Sequence, residues 1–115
     1  MKNIRIAFLV VFLFVGCAQN RVNEKVSGLN ESGIVIDVRR DKDYEAGHLT
    51  GAILIPRTEI KEKIEALVND KEEKIILYCN SGRGAAAAKI ILEEMGYKYV
   101  TNAGGYKDLK KNETE

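Results

Sequence analysis

Neither sign of charge dominates this chain, and that absence excludes one class of function at once. Its 115 residues carry 18 Lys and Arg against 17 Asp and Glu, so no broad basic surface exists to follow a nucleic-acid backbone. Long apolar runs are equally scarce. The uninterrupted one at residues 6–15 is ten residues long, whereas about 20 are needed to span a bilayer. Cysteine is confined to Cys17 and Cys79, histidine to His48 and proline to Pro56. Few positions are therefore available for sulfur or imidazole chemistry.

What is present begins with an export pattern. Lys2 and Arg5 precede the apolar run, and Gly16-Cys17 follows it, giving a basic region, an apolar region and a small-residue exit. A cysteine directly after a small residue resembles the lipobox of bacterial lipoproteins, in which the thiol receives a diacylglyceryl group and becomes the first mature residue. Phe14 stands where leucine is usual in that pattern. Ordinary cleaved export and an uncleaved hydrophobic anchor are the other readings. Lipidation at Cys17 would give a stable membrane anchor, and Ala18, in place of the aspartate that marks inner-membrane retention, points to the outer membrane facing the periplasm. Without residues 1–16 the chain has 99 residues and loses Lys2 and Arg5, leaving 16 basic against 17 acidic side chains. That length suffices for one modest domain and no second. With Cys17 lipidated, Cys79 is alone and no internal disulfide forms.

Residues 17–31 read as a polar tether that enters the domain, with a short edge strand near residues 22–26. Residues 33–38 hold a short β-branched run with no polar alternation until Asp37 near its end, the pattern of a strand covered on both faces. Residues 39–47 are charged, with Asp41 as a helix cap ahead of Tyr44, Glu45 and Ala46. Residues 48–56 turn into a second short strand that Pro56 ends. Ile60, Ile64, Leu67 and Val68 then share one helical face. Residues 74–78 form the expected central strand and deliver Cys79 to the C-terminal edge of the sheet, where open parallel sheets place their ligands. Ala88, Ile91, Leu92 and Met95 make the next helical stripe, with Gly96 as its stop. A short strand at 98–100, a turn at 101–105 and a helix at 106–110 complete a domain over residues 32–110. Residues 111–115 have no apolar anchor and are expected to fray. Strands alternating with helices in so short a chain predict one layered α/β domain.

Tyr78-Cys79-Asn80-Ser81-Gly82-Arg83-Gly84-Ala85 is the stretch richest in chemistry. A thiol reacts as its thiolate, and three features here favour that form: the N–H groups of residues 80–85, the positive end of the following helix, and the Arg83 guanidinium. Gly82 and Gly84 let the backbone turn its amides inward with no side chain in the way. The bland alternative is an inert buried thiol that ends a strand.

These residues, together with Ile36-Asp37-Val38-Arg39, Glu45-Ala46-Gly47-His48-Leu49-Thr50-Gly51-Ala52-Ile53, Ile55-Pro56 and Asn102-Ala103-Gly104-Gly105-Tyr106, resemble the rhodanese family of single-domain sulfurtransferases, in particular its small periplasmic phage-shock-protein-E type. The resemblance runs from Gly33 to about Leu109. It implies a three-layer sandwich with a small, mainly parallel central sheet and helices on both faces. It also implies thiosulfate sulfurtransfer: Cys79 takes the sulfane sulfur of thiosulfate or a related donor as a persulfide and passes it to a thiol or cyanide acceptor. Neither cofactor nor metal is implied. Arg83 would orient the donor, and Asn80, Ser81, Gly82, Gly84 and Ala85 would form the active loop. Asp37, Arg39, Glu45, His48, Gly104 and Gly105 would support it, with His48 tying backbone together rather than acting as a base. The chain departs from many members in carrying Gly84 and Ala85 where arginine and serine are common.

Two other functions stay open on the sequence. A cysteine-dependent phosphatase needs an arginine six positions after the cysteine to enclose phosphate, and Ala85 occupies that place. A membrane-tethered sulfur carrier or binding module would accept sulfur on Cys79 with little turnover.

Overall fold

The computed structural model describes residues 32–113. The export signal, Cys17, the tether and the edge strand near residues 22–26 lie outside the described residues. Four strands, β1 (Ile34–Asp37), β2 (Ile53–Leu54), β3 (Lys74–Cys79) and β4 (Tyr99–Gly105), form one sheet in the order β2-β1-β3-β4. Every pairing is parallel, so the C-terminal ends of all four strands meet along a single rim. Helices α1 (Asp41–Ala46), α2 (Ile60–Leu67), α3 (Arg83–Glu94) and α4 (Tyr106–Glu113) connect and cover the strands. The architecture is the expected layered sandwich with helices on both faces of a small parallel sheet.

The alternation of β3 explains the two cores. Ile75, Leu77 and Cys79 face one side, where Ile60 and Ile64 of α2 and Ala85, Ala88 and Leu92 of α3 pack against them. Ile76 and Tyr78 face the other, against Leu49, Ala52 and Leu109 of α4. A strand of this kind shows no polar face because it has no solvent-facing side. Ala85 and Ala88 are fully buried, and their small side chains let α3 lie close over the end of β3.

Several element ends differ from the sequence expectation. Asp41 is the first residue of α1 and not its cap: Arg40 takes the cap position, with no side-chain cap bond. A 3₁₀ turn at Arg57–Glu59 precedes α2, and Leu67, expected on the apolar face, is 39% exposed while Val68 takes the buried place. The largest difference is β4, which continues through the stretch read as a turn. Leu77 pairs with Asn102 but Cys79 pairs with Gly105, so β4 carries one extra residue opposite β3, a bulge in which Gly104 adopts φ +103°. Glycine is read as a turn signal from sequence; here it lets the strand kink and stay paired. The final helix runs to Glu113, past the expected end at Lys110, because Leu109 anchors it in the core and the Glu113 carboxylate accepts the Thr50 N–H at 2.8 Å.

Candidate active site

Cys79 is the last residue of β3, and the chain turns at once into α3. Its Sγ accepts the Gly82 N–H at 2.9 Å and the Ala85 N–H at 3.4 Å. Of the amides at residues 80–85, these two are the ones that reach the sulfur. Two mechanisms favour negative charge there: direct N–H donation and the positive end of a twelve-residue helix. Cys79 is only 6% exposed, yet it lines an open cleft of about 300 Å³ together with Arg40, Asp43, Arg57, Asn80 and Gly84. The residue is therefore nearly buried and still borders the cleft.

The two loop glycines are not equivalent. Gly82 has φ +98°, a backbone geometry that side-chain-bearing residues rarely adopt. Gly84 is helical, and a Cβ added there would make only ordinary van der Waals contacts, 3.6 Å from Cys79 Sγ and 4.0 Å from Arg57 Cδ, so neither backbone geometry nor space requires glycine at that position. The loop is held against β4 by Asn102, whose Nδ2 donates to the Gly82 carbonyl and whose Oδ1 accepts the Gly104 N–H, both at 2.9 Å. At Gly105 an added Cβ would lie 2.5 Å from the Asn80 carbonyl oxygen. The close approach of loop and strand therefore requires glycine at 105.

Behind the loop lies a buried polar cluster. The Asp37 carboxylate is fully buried and receives Arg39 Nε and Nη2, the latter at 2.8 Å, together with the Tyr78 hydroxyl at 2.8 Å. Arg39 also donates to the Gly47 carbonyl and to Asn80 Oδ1, and its guanidinium lies 4.3 Å from the centre of the Tyr106 ring. Burial opposes the Arg39 charge, but hydrogen bonding and attraction to Asp37 outweigh it and raise its pKa above the ordinary value. For Tyr78, burial is the main cause of a pKa raised far above the ordinary phenol range, with Asp37 adding to it against the Leu49 amide. The hydroxyl thus remains a donor at all working pH.

The remaining predicted positions separate clearly. His48 donates from Nδ1 to the Tyr44 carbonyl at 2.8 Å and stacks on the Tyr44 ring at 3.6 Å; it does not line the cleft. Glu45 is exposed, and His48 makes its contacts with Tyr44 instead. Ser81 stands at the cleft, its Oγ 3.5 Å from the Arg83 N–H. Arg83 is exposed at the start of α3 and is not among the cleft-lining residues. Arg40, Asp43 and Arg57 were not singled out from the sequence, whereas Asn102 opens the 102–106 motif quoted for the family resemblance. A signal for the first three existed, since they follow the ends of β1 and β2, and in a parallel sheet those ends share the rim with Cys79. Among the described residues no group of three His, Cys, Asp or Glu side chains gathers to hold a metal, and no helix is long and apolar enough to cross a membrane.

This geometry agrees with the comparisons to known proteins. The family profile described as "Rhodanese-like domain" matches residues 19–112. The chain belongs to the rhodanese family. Among curated rhodanese relatives, it is 51% identical over 74 residues to the thiosulfate sulfurtransferase PspE of Escherichia coli (strain K12), covering 64% of this chain and 71% of that protein. A solved structure, "rhodanese with anions from E. coli", has 51% identity and a TM-score of 0.63, covering 65% of this chain and 88% of that one. The putative sulfur carrier protein YrkF of Bacillus subtilis (strain 168) is 32% identical over 73 residues, covering 64% of this chain but 38% of that protein.

Proposed function

We propose that this chain is a thiosulfate sulfurtransferase that carries sulfane sulfur as a persulfide on Cys79. The observation that carries the reading is the cleft-lining Cys79 with two backbone N–H donors aimed at its Sγ, and the PspE relationship supports it. The Cys79 thiolate attacks the outer sulfur of thiosulfate; a new S–S bond forms, the donor's S–S bond breaks, and the electron pair leaves with sulfite. A thiol or cyanide then attacks the outer persulfide sulfur and restores the thiolate. Gly82 and Ala85 stabilise sulfur-centred charge in both forms. No general base is needed once the thiolate exists. In this reading Asn80, Ser81 and Gly84 shape the loop, Arg83 adds positive charge on its outer turn, and Asp37, Arg39, His48, Gly104 and Gly105 hold the frame.

Intact mass after thiosulfate treatment tests the assignment. Native protein gains one sulfur atom and Cys79→Ser gains none; an adduct retained by the Ser variant refutes it. Anchoring in the outer membrane through lipidated Cys17 is part of the proposal, supported by the pattern at residues 2–17, and acyl chains detected on Cys17 would establish it. The YrkF relationship favours a second reading, a carrier: Cys79 would load once and turn over slowly with small donors and acceptors, so steady-state turnover separates the two.

A further inference from the structure

The arginines around the Cys79 mouth are not equivalent. Arg39 is fully engaged with Asp37, Gly47 and Asn80. Arg40 lies 3.6 Å from the Asp43 carboxylate, and both residues line the cleft, so that corner contributes no net charge. Arg57 differs. It follows Pro56 at the end of β2, and its backbone N–H is fixed to the Val38 carbonyl at 3.0 Å. Its side chain is exposed and forms no ion pair among the described residues. Its stem reaches the space in front of the sulfur, because the point beside Gly84 that lies 3.6 Å from Sγ is 4.0 Å from Arg57 Cδ.

We infer that Arg57 selects the donor: its guanidinium grips the oxyanion end of a small S-thio oxyanion while the sulfane sulfur meets Cys79. The inference rests on the thiosulfate and persulfide reading above and adds to it the residue that reads the donor. A planar guanidinium offers a fork of N–H groups that matches two oxygens on one centre, which a lone ammonium or a backbone amide does not. The oxyanion end is also where the electron pair goes when the donor's S–S bond breaks, so the same contact strengthens as sulfite departs. Arg83 is exposed at the start of α3 and is not among the residues that line the cleft.

The test compares two donors for the wild type, Arg57→Ala and Arg83→Ala: thiosulfate, and hydroxyethyl hydropersulfide, which offers a transferable sulfur without an oxyanion group. The rate of sulfur gain on Cys79 is read by intact mass. Arg57→Ala is expected to lower the ratio of the thiosulfate to the hydropersulfide rate constant by about tenfold to a hundredfold, and Arg83→Ala by less. Equal losses with both donors in Arg57→Ala, or a larger fall of the ratio in Arg83→Ala, overturn the assignment to Arg57. Wild-type protein that takes sulfur from hydropersulfide but not thiosulfate overturns the donor class and leaves persulfide chemistry standing. Sulfur gain from neither donor refutes the persulfide reading itself.

Discussion

Tyr78→Phe tests the buried polar cluster with minimal change of shape. The hydroxyl sits between two partners: it donates to Asp37 Oδ2 at 2.8 Å and accepts the Leu49 N–H at 3.1 Å. Its removal deletes a hydrogen bond to a carboxylate, a class worth about 1.5–3 kcal/mol, and leaves a buried N–H without an acceptor, which costs about 1–3 kcal/mol. Asp37 keeps its contacts to Arg39, so each effect falls toward its lower end, and the sum is about 3 kcal/mol. For a domain of this size that corresponds to a fall in Tm of about 12–24 °C. Urea unfolding followed by far-UV circular dichroism measures it: the midpoint should fall with no change of slope. A loss below about 1 kcal/mol would refute the reasoning, because it would mean that neither partner depends on the hydroxyl. Below its melting range the variant should still load sulfur, since Tyr78 and Cys79 project to opposite faces of β3.

Gly105→Ala places a methyl against the Asn80 carbonyl and Ser81 Cα. Both are backbone atoms, so the loop itself must shift: the expected result is about 1–3 kcal/mol of lost stability and about a hundredfold slower sulfur loading, read by melting and by mass. A variant that is destabilised but loads normally would show that the loop tolerates the displacement. Arg39→Ala leaves the Asp37 carboxylate buried without its counter-ion, a change worth about 3–5 kcal/mol; equilibrium unfolding in urea measures it, and a near-neutral result would mean that Asp37 reaches water.

The framework of this fold is legible in the sequence because both cores are apolar and periodic. The unbroken run before Asp37, the run before Cys79 and the stripe from Ala88 to Met95 each obey one rule of burial, and the structure places them accordingly. Legibility ends where glycine is used for pairing instead of turning. Residues 101–105 carry the composition of a loop, and only the neighbouring β3, which supplies the hydrogen-bond partners, makes them a strand. The amide contacts to the Cys79 sulfur were readable for a related reason: Cys79, Gly82 and Ala85 lie close together in sequence, and one turn brings their groups together. Arg57 was not readable, since its relation to the sulfur depends on strand order, which no local pattern encodes.

Cys79 is the single cysteine among the described residues. Among the described residues a sulfur atom held there has no neighbouring thiol to close a disulfide and expel it as sulfide. The loaded state is therefore a waiting state: its lifetime is set by the arrival of an outside nucleophile through the cleft, and the identity of that visitor decides where the sulfur goes.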